Sequence, residues 1–241
     1  MNRPIDIPTR ATADFLASHL PGGAELLEVG CGEGDVASEL ARRGYRVTAI
    51  DADPDATALA RQRGIAALTA NWPEFSHAPF DAIAFTRSLH HIHTIEDAVR
   101  RSRELLRPGG VLLVEDFAFN EVDDATIEWF VDALRRDPGR SLVTPVPSFV
   151  TRLLAADNPL AEWRRHHVDH EVSPAAAIKA SVSSHFRSVT VESVPYLYRY
   201  LVPVLAETRE AAAFIEDLRE SEARLASEGR VVLVGRRLVA R

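Results

Sequence analysis

Leu26-Leu27-Glu28-Val29-Gly30-Cys31-Gly32-Glu33-Gly34 is the stretch on which the fold turns. An apolar run ends in three glycines spaced G-x-G-x-G, and a helical pattern follows. That is how a buried parallel strand bends sharply into a helix beneath a bound nucleotide. Glycine lets a ligand approach the backbone, and the start of a helix offers N–H groups with no partner inside the helix. The spacing narrows the choice of ligand. Dinucleotide turns of the hydride-transfer type run G-x-G-x-x-G, with the third glycine allowing close packing beneath a pyrophosphate. Here Gly34 comes one residue early, and no glycine before Gly44 restores the pattern. Glu28 would sit awkwardly beside a diphosphate but acceptably near an ammonium or a cationic sulfonium.

Outward from the turn, strands and helices alternate. Helices are expected over residues 11–20, 34–43, 54–64 and 94–106, and strands over 26–29, 45–50, 65–69, 80–85 and 111–114. Pro54 stands where a first helical turn tolerates proline, and Asp53 suits the cap before it. Strands separated by helices of this length imply a parallel sheet covered on both faces. The alternation lapses over residues 117–186. That region carries helical patterns near 124–136 and 148–156, the turn Thr144-Pro145-Val146-Pro147, and an irregular stretch around Trp163. A strand is expected again over 188–194, a long amphipathic helix over 205–227, and a last strand from 231–234 and 238–239.

The bulk properties exclude some functions. With 241 residues, 46% of them hydrophobic, the chain can bury a sizeable core, and one α/β domain with an insertion fits its length. A net charge of −7 and a pI near 5.7 provide no electrostatic footprint for nucleic acid or an anionic membrane surface. Cys31 is the only cysteine, so no internal disulfide can form. Met1-Asn2-Arg3-Pro4-Ile5-Asp6 lacks the apolar core of a secretion signal, and no apolar run approaches the ~20 residues that span a bilayer. The expectation is a cytoplasmic protein that inserts in no membrane and acts on a small molecule.

Asp51 ends the second strand, about 20 residues past the first glycine, where a carboxylate can accept both hydroxyls of a ribose. It identifies a ribose rather than one cofactor. Its other reading, a helix N-cap, suits Asp53 better.

The glycine turn with Asp51, the strand Phe80-Asp81-Ala82-Ile83-Ala84-Phe85, and Leu105-Leu106-Arg107-Pro108-Gly109-Gly110-Val111-Leu112-Leu113 together resemble the class I S-adenosylmethionine-dependent methyltransferases, most closely the small-molecule group of methyltransferase-domain 11/12 type. The resemblance covers residues 10–116 well and the terminal strands more loosely. It implies an α/β fold with a doubly wound, mostly parallel, seven-stranded Rossmann-like sheet. The whole chain would be one domain, with residues 117–186 a mainly helical insertion between strands five and six that acts as a lid and sets substrate choice. It also implies methyl transfer from S-adenosylmethionine, leaving S-adenosylhomocysteine, to an O, N, S or C nucleophile. A cofactor-binding module without turnover and an NAD-dependent oxidoreductase are the alternatives.

Carried residue by residue, the resemblance places Glu28, Gly30, Cys31, Gly32 and Gly34 against the methionine and ribose portion of the cofactor. Asp51 would hold the ribose, and Ala52 would border the adenine. Asn71 and Trp72 would meet the adenine edge and face. The family more often has aspartate where Asn71 stands, and an asparagine carbonyl still pairs with an amino group. Trp72 has a second reading, as a cover for the end of the sheet. Arg87 would lie near the methionine carboxylate or the substrate, or else face solvent.

Histidines supply the catalytic candidates. His90 and His91, in Ser88-Leu89-His90-His91-Ile92-His93, follow strand four, where a base could take a proton from an acceptor, or they support the loop. His167 belongs to His166-His167-Val168-Asp169-His170-Glu171. That alternation reads as a strand lining a pocket or facing solvent rather than as a metal site, and no metal is expected. Tyr196, Tyr198 and Tyr200 alternate with Leu197, Arg199 and Leu201 and are expected to pack.

Overall fold

A computed structural model describes residues 3–241; the amino-terminal reading above extends over Met1 and Asn2, which lie outside the described residues. In chain order the elements are α1 (Asp6–Ala17), β1 (Glu25–Val29), α2 (Asp35–Arg42), β2 (Arg46–Asp51), α3 (Pro54–Gln62), β3 (Ala66–Thr69), β4 (Phe80–Thr86), α4 (Ile95–Leu105), β5 (Leu106–Phe117), α5 (Asp124–Arg135), α6 (Gly139–Leu142), α7 (Phe149–Ala155), α8 (Pro159–Asp169), α9 (Ala175–His185), β6 (Val189–Val194), α10 (Arg209–Ser227) and β7 (Gly235–Ala240). Short 3₁₀ turns cover Leu89–His91, Phe119–Glu121 and Leu197–Val204.

The seven strands form one sheet in the order β3-β2-β1-β4-β5-β7-β6. Pairings β1–β2, β1–β4, β2–β3 and β4–β5 are parallel. This is the expected doubly wound sheet with a mostly helical stretch between β5 and β6. Because the order reverses at β1, the loops leaving β1 and β4 diverge at their carboxyl ends, where ligands bind open α/β sheets.

Period-two burial explains the layers. Leu27, Val29, Ile83, Phe85, Leu112 and Val114 form one face, covered by Val99 of α4 and by Ile178 and Val182 of α9. Leu26, Ala82, Ala84, Val111 and Leu113 form the other, covered by Leu16 of α1 and by Val36 and Leu40 of α2. Alternate residues of one strand point to opposite faces, so a run apolar at every position belongs to a strand buried on both.

The chain resolves into two compact units. One comprises Thr9–Asp116, Ser173–Glu192 and Arg236–Arg241, and holds most of the sheet. The other comprises the described residues up to Pro8, Phe117–Val172 and Ser193–Gly235. Its own core centres on Trp163, Phe130, Tyr198, Leu201 and Ile215. Residues 117–186 are thus shared: the part through Val172 lies in the second unit, while α9 packs in the first.

Several local expectations are corrected. Residues 166–169 belong to helix α8 and not to a strand. Asn158 caps α8 by accepting from Ala161 N (2.9 Å), and Pro159 opens it. From that start Leu160, Trp163 and His167 share one buried stripe, which overrides the local alternation. The tyrosine segment packs as expected, but in a turn and not in a strand. The Glu222 carboxylate accepts from Tyr196 N (2.9 Å) and Leu197 N (3.1 Å), so these backbone groups start a 3₁₀ turn, and Tyr196 and Tyr198 pack buried within it. The first helix starts earlier than expected, since its opening turn tolerates Pro8. The last strand starts at Gly235, because Val232 N donates to Thr126 Oγ1 (2.8 Å) instead of to a neighbouring strand. Among the described residues no helix is long and apolar enough to cross a membrane.

Candidate functional site

The site lies at the carboxyl edge of the sheet, within the unit that holds β1 to β4. Gly30 N and Cys31 N both donate to Ile50 O (2.8 and 3.0 Å), tying the end of β1 to the end of β2. Gly30 and Gly34 take left-handed backbone, with φ of 72° and 79°. A side chain at Gly30 would press into Ser88, and one at Gly34 would lie 2.9 Å from Ala60 Cβ, so the turn holds two close approaches that only glycine permits. At Gly32, between them, no neighbour among the described residues occupies the side-chain position.

Asp51 closes this cradle. Its Oδ2 accepts from Gly32 N (2.8 Å) and its Oδ1 from Asp53 N (3.0 Å). Two backbone donors therefore orient the carboxylate, and each oxygen keeps a further lone pair. The capping role falls to Asp53, which accepts from Asp55 N (2.8 Å) ahead of Pro54. Cys31 is buried, and burial together with the neighbouring Glu28 and Asp51 charges pushes its thiol up to about 12, so it stays protonated and is no nucleophile.

Beneath the turn, Glu28 is 1% exposed. Thr86 Oγ1 donates to its Oε1 (2.7 Å), while its Oε2 has no hydrogen-bond partner among the described residues. Burial lifts this carboxyl to about 7, against smaller opposing effects from the Thr86 hydroxyl and the Arg87 charge. Arg87 has a φ of 66°, uncommon outside glycine, and its backbone N donates to Glu115 O (2.7 Å). It does not simply face solvent: it is half-buried, and its Nε is enclosed without a partner among the described residues. An orphaned acceptor and an orphaned donor thus flank the glycine turn.

Ala52 and Asn71 are exposed, at the ends of β2 and in the turn after β3. Ala70 N donates to Asp51 O (2.9 Å), joining the two loops. Trp72 is half-buried; its Nε1 donates to Ala98 O (3.1 Å), and its ring meets Phe85 edge-on with centroids 5.9 Å apart.

His90 is 5% exposed, while His91 and His93 are exposed. His90 Nδ1 lies 2.6 Å from Asp116 Oδ1, and His90 N donates to Asp116 Oδ2 (3.2 Å). Asp116 went unnamed at the level of sequence. Its signal was available: like Asp51, it is a carboxylate close after the apolar core of a parallel strand, with Glu115 between.

His167 is placed in the other compact unit, on α8. Its Nδ1 contacts Trp163 O (2.7 Å), and a carbonyl only accepts, so Nδ1 carries the proton and Nε2 accepts from Tyr200 OH (2.7 Å). Its neighbour His166 is pushed down to about 4, chiefly by burial and then by the nearby His167 and His170. Among the described residues no group of three or more His, Cys, Asp or Glu side chains is placed to hold a metal ion.

Comparison with known proteins bears on family and fold. A sequence model described as a methyltransferase domain matches residues 6–171. A ubiquinone biosynthesis O-methyltransferase of Xylella fastidiosa is 35% identical over 126 residues, covering 46% of this chain and 50% of that protein. The match therefore spans about half the length of that curated relative. A phosphoethanolamine N-methyltransferase of Haemonchus contortus, solved with phosphomonomethylethanolamine and S-adenosylhomocysteine, superposes with a TM-score of 0.60 at 14% identity, covering 96% of this chain and 52% of that one. A structure described as a sarcosine dimethylglycine methyltransferase from Galdieria sulphuraria superposes at 0.54 with 15% identity, covering 95% and 85%. At these identities the superpositions speak for the fold.

Proposed function

The chain belongs to the methyltransferase-domain family, and from that premise we propose that it binds S-adenosylmethionine and transfers the methyl group to an O, N, S or C nucleophile of a small molecule. The observation that carries the reading is the cradle in which Asp51 Oδ2 accepts from Gly32 N (2.8 Å) across an open glycine loop. The residues present fit an adenosyl sulfonium. Asp51 offers its remaining lone pairs to ribose hydroxyls, and Ala52 and Asn71 border the place for a base. The enclosed Arg87 Nε and Glu28 Oε2 match the charges of an amino-acid end.

Such a cofactor arrives with its methyl group already activated. The chain's part is to hold ribose and amino-acid ends in register and to keep water from the reacting edge, and proximity of this kind supplies much of a transfer rate. Choice of acceptor is assigned to residues 117–186, where the alternation of strand and helix lapses.

Calorimetric titration with S-adenosylhomocysteine and, separately, with NADH tests the proposal. Saturable binding of the first alone is the expected result. Binding of NADH alone would replace it with an oxidoreductase. Cofactor binding with no transfer to any member of a broad acceptor panel would make the chain a cofactor-binding module.

A further inference from the structure

We propose that Arg63 is a latch on the glycine turn. By gripping Glu33 and Asp35 together it holds the loop in the shape that keeps Asp51 aimed at a ribose, and its release sets how fast the nucleoside leaves. The inference rests on the cofactor reading above and gives that site a positioning residue outside the turn itself.

The turn needs an outside hold. Its first residues are tied by the backbone, with Gly30 N and Cys31 N both donating to Ile50 O (2.8 and 3.0 Å). Its corner is held less. Gly34 N donates back to Cys31 O (3.0 Å), which makes Gly32 and Glu33 the two central residues of a tight turn. Gly32 has a φ of 52° and no neighbour among the described residues at its side-chain position. Glycine restricts the backbone least, so packing does not fix this point. No cap fixes the helix that follows either, because Gly34 precedes α2 and has no side chain to accept from it.

Arg63 supplies the hold. Its Nη2 contacts Glu33 Oε2 (2.9 Å), and its Nη1 contacts Asp35 Oδ1. One guanidinium thus straddles the residues on either side of Gly34, and its planar fork of donors suits two acceptors at once. Without it, two carboxylates that now share one cation would repel across a glycine.

The latch is rooted at its own end. Arg63 closes α3, where its N is shared between Leu59 O (3.2 Å) and Ala60 O (3.1 Å), and Gly64, with a φ of 81°, ends the helix behind it. The other end of α3 starts from Asp53, whose N donates to Asp51 Oδ1 (3.0 Å). One helix therefore meets the cradle twice, at the carboxylate and at the loop. The line of restraint is short. Arg63 holds Glu33, Glu33 adjoins Gly32, and Gly32 N donates to Asp51 Oδ2 (2.8 Å). When Glu33 swings out, that bond is lost, and the carboxylate keeps only one of the two donors that orient it. Arg63 is 34% exposed and Glu33 55%, so water and salt compete for the contact. An exposed pair is weak by itself, and the latch holds without locking.

The test uses the full chain, with urea midpoints as the check on folding. Dissociation of S-adenosylhomocysteine is followed by stopped-flow displacement, and affinity by calorimetry. Arg63→Gln should raise the dissociation rate at least about threefold and weaken affinity to match. Glu33→Gln should have a smaller effect in the same direction, since Asp35 stays gripped. Adding it to Arg63→Gln should change nothing further, because the contact it removes is already gone. Raising salt from about 50 mM to about 1 M should speed dissociation from the wild type toward the Arg63→Gln rate and leave the variant's rate unmoved. A merely structural arginine would not produce that convergence. Affinity for S-adenosylmethionine, which carries one more positive charge, should fall by the same factor as for S-adenosylhomocysteine, because the latch acts on the ribose that both share.

A wild type that binds neither ligand overturns the cofactor reading, and the latch with it. A wild type that binds, with dissociation unchanged in Arg63→Gln, overturns the latch alone. Should Arg63→Gln not fold, unchanged dissociation in Glu33→Gln overturns it. Additive losses in the double variant, a salt response retained by Arg63→Gln, or a loss confined to one of the two ligands, as a change in local charge would cause, overturn it as well.

Discussion

Ser88 fills the space where Gly30 has no side chain. The Ser88 Oγ donates to Val29 O (2.5 Å), and a β-carbon added at Gly30 would intrude on the Ser88 Cβ. The relationship locks the end of β1 against the loop leaving β4. Gly30→Ala combines this clash with a φ of 72°, and together these should cost about 2–4 kcal/mol of stability. Adding Ser88→Gly should recover only part of it, because the backbone penalty remains. Urea denaturation of the single and double variants checks this; full recovery would mean that the backbone penalty is negligible.

Asp51→Ala should weaken S-adenosylhomocysteine binding by at least about tenfold, or about 1.4 kcal/mol, through loss of charge-assisted ribose bonds. Gly32 N also loses its acceptor, so Asp51→Asn, which keeps one, is the better-folded comparison. Calorimetry decides. Unchanged affinity in both variants would remove ribose recognition from this residue.

These two residues were legible because their signals are local. A strand, a turn and a helix start lie within nine residues at 26–34, and β4 and β5 carry the apolar runs 82–85 and 111–114. What stayed hidden depends on distant partners. Asp116 meets His90, 26 residues away. The tyrosine segment looks like a strand until Glu222, 26 residues beyond Tyr196, takes its N–H groups. The run 166–171 alternates locally, but the cap at Asn158 had already set a helix. α9 offers alanines and serines with few charges, so its buried Ile178 and Val182 make a faint stripe.

Trp72 separates two readings. Its Nε1 bond to Ala98 O and its contact with Phe85 are those of a residue closing the sheet. Trp72→Phe should then cost about 1–2 kcal/mol of stability through the lost bond and area, while S-adenosylhomocysteine affinity stays within twofold. Unaltered stability with a clear loss of affinity would establish stacking on the adenine instead.

Trp163 is fully buried, and its Nε1 donates to Phe119 O (2.8 Å). Trp163→Phe removes the donor and leaves a buried carbonyl unpaired, at a cost of about 1–3 kcal/mol. Trp163→Ala adds a cavity and should cost about 3–5 kcal/mol. Denaturation followed by circular dichroism measures both. A Phe variant as stable as the wild type would show that water or a shifted neighbour replaces the bond.

Glu28 should make the protein less stable as pH rises. Burial holds its carboxyl near 7 in the fold, against 4.5 as the ordinary value. Between these values the folded state keeps a proton that the unfolded chain has released, so stability falls with rising pH across that window and levels off above about 7. A shift of this size corresponds to a loss on the order of 3 kcal/mol. Glu222 is raised to about 7 by the same cause, but it is present in both proteins being compared and cancels. Glu28→Gln keeps an acceptor for Thr86 and cannot ionise. Its stability relative to the wild type should therefore grow from about pH 5 to pH 8 and change little below. Urea midpoints at a series of pH values measure the difference. Parallel curves would mean that Glu28 titrates at its ordinary value, and so that its environment is more polar than its burial beside Thr86 implies.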